Sequence, residues 1–458
     1  MEELRRIDLA FLNRYYESGL SNILVVYGHR NVEQNALLLK FIENRRNVFY
    51  CARSCSSREQ IRLWAGELMD QGAKFDRQPS FTDIFEFANV STGRNPLIFV
   101  IKNFEFIVKS SDSFMKELVD FMDKNGKLKQ ILVLLVSSDV SWVENSMVRT
   151  FGALSASIAG FRKIKPLPFS EMKGYYAKMP YRDAVLTYSV LGGQTLLWRY
   201  FDGTLSFKEN ICKNFLDPGS YLYGEAMRLT ENTLRETSVY HTILSEMARG
   251  ACKLNDLYHE TGFSRAKISV YMKTLIHHDF ACKVYSFGNA GRENVMKGVY
   301  RIQDPLLKFY FRFIFPNESS LRHMLPDKFY DLFIAPGIME FANDAFKLIC
   351  REYVLRLEER GILPFEIEDE GEWIGKEGSI DIIAQSDVGD TLIGLCIWQR
   401  KIVHEDYEKL LFLSKKAKLD ADYIYLFSTV GFDEWILDAA MRPESKLKLI
   451  GTDELTNV

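Results

Sequence analysis

Nowhere in its 458 residues does this chain run apolar and uncharged for about 18 positions, so no segment reads as a membrane-spanning helix. The opening residues Met1-Glu2-Glu3-Leu4-Arg5-Arg6 set acids where a secretory leader is basic, which leads us to expect a cytoplasmic protein. Cysteine is sparse and scattered, with seven residues at 51, 55, 212, 252, 282, 350 and 396. Only Cys51 and Cys55 lie close together, and no second pair or spaced histidines complete a zinc site. Reduced, structural thiols and no bound metal are expected. An excess of charge of one sign is also missing, since 58 Lys and Arg stand against 61 Asp and Glu, a net charge of −3. That balance excludes a wholesale basic coat for nucleic acid and leaves only a local patch. What the chain does have is core material: 47% hydrophobic and 13% aromatic residues, which excludes a fibrous or disordered protein. Its length suggests about three or four domains.

Short β-branched apolar runs at 22–27, 48–51, 97–101 and 131–136 alternate with helical patterns, the signature of a buried parallel sheet. Pro166-Leu167-Pro168 ends this region. The reading is an α/β multidomain protein: a parallel-sheet P-loop NTPase-like domain over 1–165, a helical lid over 166–236, a winged helix-turn-helix over 237–303 and a further α/β domain over 304–458. The winged helix is read from helices at 239–248, 253–260 and 264–277, followed by strands at 281–286 and 298–302 around a Gly-rich hairpin. Strand-like runs at 379–384, 392–398 and 423–427 mark the last domain.

The segment after the first strand, Gly28-His29-Arg30-Asn31-Val32-Glu33-Gln34-Asn35, lies where a phosphate loop belongs. In G-x-x-x-x-G-K-[ST] the glycines let backbone N–H groups close around phosphate, the lysine reaches the β- and γ-phosphates, and the hydroxyl ligates Mg²⁺. Aligned on Gly28, this chain has Glu33 for the second glycine, Gln34 for the lysine and Asn35 for the hydroxyl. The acids expected at the end of the strand at 97–101 are Lys102 and Asn103. Lys102 suits a phosphate and not Mg²⁺. Gly28, Arg30, Asn31, Gln34, Asn35 and Lys102 are therefore a vestigial nucleotide set. No cofactor is assigned; ATP with Mg²⁺ is what an intact loop would take, and weak nucleotide binding through Gly28, Arg30 and the helix N-terminus stays open.

Further landmarks are Val26-Tyr27-Gly28-His29-Arg30, Val136-Ser137-Ser138, Gly160-Phe161-Arg162-Lys163 and Leu191-Gly192-Gly193-Gln194-Thr195. In that order and spacing the chain resembles the archaeal-type ATPases of the AAA+/STAND group, over nearly its whole length. The resemblance implies ATPase ancestry and places Arg162 near the γ-phosphate. It also implies a C-terminal domain of unknown function similar to PD-(D/E)XK nucleases, that is, a restriction-endonuclease-like α/β domain. Such a site needs an acid on one strand and acid-x-lysine on the next, to hold Mg²⁺ and activate water. Here Ser379-Ile380-Asp381-Ile382 resembles the family's Glu-Ile-Asp-Ile, and Leu395-Cys396-Ile397-Trp398 stands for its Glu-Cys-Lys-Trp. Asp381 alone survives, as a vestigial nuclease residue, and Lys347 stands upstream where the family carries Glu. No catalytic residue is assigned and no nuclease activity is expected.

Between residues 235 and 301 ten Lys and Arg face six acids, a local net charge of +4 that reverses the sign of the whole chain. Ser264, Arg265, Lys267, Tyr271 and Lys273 on the third helix, with Arg292 and Lys297 on the wing, are the DNA-binding candidates; Ile268, Met272 and Leu275 fit the inward face. DNA contact and a spacer role both remain open. Two functions follow: a non-catalytic scaffold or DNA-binding regulator, with a protein partner or a second copy of itself, or an ATP-binding ATPase with an atypical loop that acts on DNA.

Overall fold

The computed structural model describes residues 5–28, 32–70, 72–75, 78–91, 96–288 and 298–457. They divide into two compact units, residues 1–167 with 194–196, and residues 168–193 with 197–458.

In the first unit five strands form one parallel sheet in the order β2-β3-β4-β1-β5. They are β1 (Asn22–Gly28), β2 (Asn47–Cys51), β3 (Leu97–Lys102), β4 (Ile131–Ser137) and β5 (Ile158–Ile164). The apolar runs form strands because both faces of the sheet are covered, and every residue of β4 is buried. One face packs against α1 (Arg6–Glu17) and α2 (Gln34–Ile42) through Leu12, Leu37, Leu38 and Phe41. The other face carries an aromatic core, where Trp64 of α3 (Ser57–Met69) stacks on Tyr50 with centroids 4.3 Å apart. Phe81 and Phe85 from α4 (Phe81–Ser91) meet the Trp64 ring edge-on. Such rings bury large apolar areas in a fixed geometry. Two short helices follow β3, α5 (Glu105–Ser110) and α6 (Phe114–Asn125).

Because β1 lies between β4 and β5, the chain reverses its order in the sheet there, and the carboxyl ends of these strands frame a crevice. Gly28 closes β1 so near to β5 that a Cβ on it would meet the Ile164 carbonyl oxygen at 2.5 Å.

The second unit begins with helices in which Glu352 accepts the backbone N–H groups of Phe169 (2.7 Å) and Ser170 (3.1 Å), charge placed at a helix start. A three-helix bundle follows, α7 (Thr237–Arg249), α8 (Leu254–Thr261) and α9 (Arg265–His277), with the antiparallel pair β6 (Ala281–Val284) and β7 (Val299–Ile302). The apolar connector that starts at Pro305 is helical, buried at Phe309, Phe311, Phe313 and Ile314.

The chain ends in a mixed sheet of order β12-β11-β10-β9-β8. Its strands are β8 (Asp369–Ile374), β9 (Ser379–Gln385), β10 (Thr391–Ile397), β11 (Tyr423–Ser428) and β12 (Leu447–Ile450), with β10, β11 and β12 parallel and β8 and β9 antiparallel. Helices α10 (Asn343–Glu359) and α11 (His404–Ala417) pack against it. The hairpin after β6 reaches the edge strand β8: Phe287 N–H donates to the Glu372 carbonyl at 2.7 Å, and Ile374 N–H to Ser286 Oγ at 3.0 Å. Arg301 of β7 forks onto the Glu372 carboxylate, Nη2 to Oε2 at 2.8 Å. An exposed sheet edge is thereby covered.

Gly28→Ala is expected to destabilise the first unit by about 1–3 kcal/mol through the overpacked contact with Ile164. Chemical denaturation followed by tryptophan fluorescence measures it, and an unchanged midpoint would refute the packing role.

Candidate functional site

The first candidate lies in the crevice at the end of β1. Glu33, at the place of the second loop glycine, has a left-handed backbone with φ of 53°. A side chain there costs about 1–2 kcal/mol relative to glycine. Val32 beside it is fully buried in the core under β1. Gln34, in the lysine position, is buried and donates from Nε2 to the carbonyls of Gly28 (2.6 Å) and Ser137 (3.0 Å). Its amide ties the ends of β1 and β4 together. Lys102, at the end of β3, points its ammonium at Asn35 Oδ1, 2.6 Å away. Asn103, also left-handed with φ of 53°, turns its amide toward Cys51 Sγ at 3.5 Å. Mg²⁺ does not fit this set, since an ammonium and two amides replace the hydroxyl and acids that would ligate it.

Arg162, expected toward the γ-phosphate, is held by α1: its Nε lies 2.6 Å from Asp8 Oδ1, and Asp8 is buried. Arg30 and Asn31 lie outside the described residues. One acid that residue spacing did not single out is Glu105, buried just past Lys102 with Oε2 unpartnered. Burial pushes its carboxyl above the ordinary range, against hydrogen bonds from its own backbone and the Ser137 hydroxyl.

The second candidate is centred on Asp381 of β9. Its carboxylate accepts the Cys396 N–H at 3.0 Å and lies 2.7 Å from the Lys347 ammonium on α10; the Asp381 side chain is 5% exposed and that of Lys347 34%. Burial pulls the Lys347 pKa down, but attraction and a hydrogen bond from Asp381 outweigh it, and the net shift is upward. At the positions of the second acid and the lysine, Leu395 and Ile397 pack against the core formed with Leu410 and Leu413 of α11. Cys350 and Cys396 are buried free thiols in hydrogen-bond contact with each other, both pushed up by burial. Among the described residues no group of three or more His, Cys, Asp or Glu is placed to hold a metal ion. Mg²⁺ does not fit here either, because the one carboxylate already has its cation. The signal for this pair was a reversed charge at Lys347 opposite a surviving acid.

On α9 the N-cap Ser264 accepts the Lys267 N–H at 3.2 Å. Arg265 and Lys273 are exposed, while Ile268, Met272 and Leu275 are buried. The Arg265 guanidinium bonds to Asn255 and lies 4.1 Å over the Tyr258 ring; the Lys267 ammonium lies 4.4 Å over Phe263. Tyr271 is less available than its position on the helix suggests, since its hydroxyl donates to Glu236. Arg292 and Lys297 lie outside the described residues.

Two outcomes are expected from these placements. Lys347→Met leaves a buried carboxylate uncompensated and lowers stability by about 2 kcal/mol, a figure reduced from the 3–5 kcal/mol of a fully buried pair because Lys347 is partly solvated. Adding Asp381→Leu recovers most of that loss, and equal, additive losses in urea melts would show the two side chains to be uncoupled. Glu105→Gln is expected to raise the melting temperature at neutral pH, a gain of about 1 kcal/mol. Because the carboxyl is raised in the folded state, the wild type regains that stability as pH falls through the raised value toward the ordinary carboxylate range. The difference between the two proteins should therefore shrink in acid.

Residues 310–410 match the family DUF234, described as archaea bacterial proteins of unknown function. The uncharacterized protein MJECL04 of Methanocaldococcus jannaschii is 25% identical over 437 residues, covering 93% of this chain and 94% of that protein. Among solved structures, a Walker-type ATPase of Pyrococcus abyssi aligns over 67% of this chain and 95% of its own, at 15% identity and a TM-score of 0.49. The ORC2 protein of Aeropyrum pernix aligns over 71% and 95%, at 12% identity and a TM-score of 0.44. No helix among the described residues is long and apolar enough to cross a membrane. The DUF234 match thus falls in the C-terminal part of the chain, over residues 310–410, apart from the five-stranded parallel sheet of the first unit.

Proposed function

We propose that this ATPase-family protein is a non-catalytic, cytoplasmic scaffold or regulator that binds DNA through a winged helix formed by α7, α8, α9 and the β6–β7 hairpin. One observation carries the non-catalytic part. In each place where related chemistry needs a divalent cation, a lysine ammonium of this chain is tethered instead, Lys102 on Asn35 and Lys347 on Asp381. An ammonium carries positive charge but neither polarises two oxygens at once nor activates water as a metal does. The C-terminal mixed sheet is then a nuclease-like domain retained for its shape. A protein partner would supply any turnover, and a second copy of this chain would add only a further scaffold subunit.

The DNA part is supported by the exposed, cationic side of α9 and its capped N-terminus, the end of such a helix that reaches base edges. Ser286 and Phe287, just after β6, are engaged with β8. On α9, Arg265 and Lys273 head the contact set. Lys267 adds charge from the first turn.

A second reading, an ATP-binding ATPase with an atypical loop acting on DNA, is favoured by the retained left-handed backbone at Glu33. Titration calorimetry with ATP and Mg²⁺ separates the two. No heat at millimolar ATP is expected, and micromolar binding with turnover would sink the scaffold reading. For DNA, a gel shift at low salt should weaken about tenfold on joint Arg265→Ala and Lys267→Ala substitution, from the loss of two charge contacts. A shift indifferent to both would remove α9 as the reader.

A further inference from the structure

A cleft of about 970 Å³ opens in the second unit over the Lys347–Asp381 pair. It is lined from the last turn of α7, the connector, α10, the end of β10 and α11. Six basic side chains face it: Arg249, Lys308, Arg312, Lys347, Arg400 and Lys409. The acids in the lining are Glu340, Asp344, Asp381 and Asp406.

The pairing within this set decides what the cleft is suited to hold. Asp344 is matched by Lys308 at 2.5 Å, Asp381 by Lys347 at 2.7 Å, and Asp406 by the fork of Arg400 at 2.6 and 2.8 Å. Arg249 is spoken for by Glu246 at 2.5 Å. Among the described residues no carboxylate is paired with Arg312 or Lys409, and the one acid left over, Glu340, is exposed. Asn343 and Gln399 supply neutral amides, bonded to each other at 3.2 Å. A bare carboxylate on the floor would repel an anion, and Lys347 cancels that charge at Asp381. The volume is in the range of small-molecule sites, about 300–1,000 Å³.

We propose that this cleft binds phosphate groups without a metal, with Arg312 and Lys409 as the anion contacts above a floor neutralised by Lys347. The guanidinium offers a planar fork that matches two phosphate oxygens, and the lysine adds a mobile point charge. The same chemistry is presented by a small polyphosphate and by the backbone of a single nucleic-acid strand. No residue of α9 lines the cleft, so this site stands or falls separately from the winged-helix reading.

The test uses the full chain and two probes, a short labelled single-stranded oligothymidylate and inorganic tripolyphosphate. Anisotropy at low salt should show the wild type binding the oligonucleotide. Joint Arg312→Gln and Lys409→Gln substitution should weaken it about tenfold or more and flatten the salt dependence by about 1.4 in log–log slope, from two lost strand contacts. Displacement of the strand by tripolyphosphate assigns the site to small phosphates; its failure to displace assigns it to the strand backbone. The proposal is overturned if the wild type binds neither probe, or if the cleft variant binds as the wild type does while Arg265→Ala with Lys267→Ala abolishes binding. Should Arg312→Gln lower the melting temperature, Lys409→Glu on exposed α11 surface gives the same readout alone, and binding unchanged in that variant overturns the proposal too.

Discussion

A carboxylate removed from water must meet a positive charge, and in this protein the charge that meets Asp381 is the chain's own Lys347. That ion pair joins α10 to β9, and β10 is drawn to the same point by the Cys396 N–H. The mixed sheet and α10 are therefore joined by a salt bridge. Leu395 and Ile397, on the neighbouring strand, pack against the hydrophobic core. A buried pair of this kind adds little net stability against an apolar substitute, but it holds one arrangement of helix and strand, because either partner alone is costly.

The parallel sheet solves a like problem with neutral groups. The ends of β1 and β4 leave backbone carbonyls in the crevice, and buried carbonyls need donors. Gln34 supplies both hydrogens of one amide, and Lys102 completes the set by meeting Asn35. Glu33, at the head of α2, holds a left-handed backbone that usually falls to glycine. At Gly28, β5 leaves no room for a Cβ.

The three-helix bundle is attached to the mixed sheet through its hairpin, by two backbone-level hydrogen bonds and the Arg301–Glu372 fork. This contact serves both partners: it covers the edge of β8 and it holds Ser286, Phe287 and Arg301, while Arg265 and Lys273 of α9 are exposed. The same attachment brings the last turn of α7 to the rim of the cleft over Asp381.

Apolar periodicity located β1 to β4 of the parallel sheet, where burial on both faces leaves an unbroken run in the sequence, and also the three helices and the paired strands of the bundle, and β9, β10 and β11. It left out β5, β8 and β12, where glycine and charged residues break the run, such as Gly160, Arg162 and Lys163 in β5, Glu370, Gly371 and Glu372 in β8, and Lys448 in β12. The missing loop lysine and the missing acids were legible one residue at a time, since a side chain that is absent is absent in any fold. The replacements were not legible. Arg162 finds Asp8, Tyr271 finds Glu236, and Lys347 finds Asp381, each across a separation that residue spacing does not encode. Sequence determined which chemical groups exist and which are gone; the tertiary structure decided which of them meet, because a charge takes its character from the partner that burial forces on it.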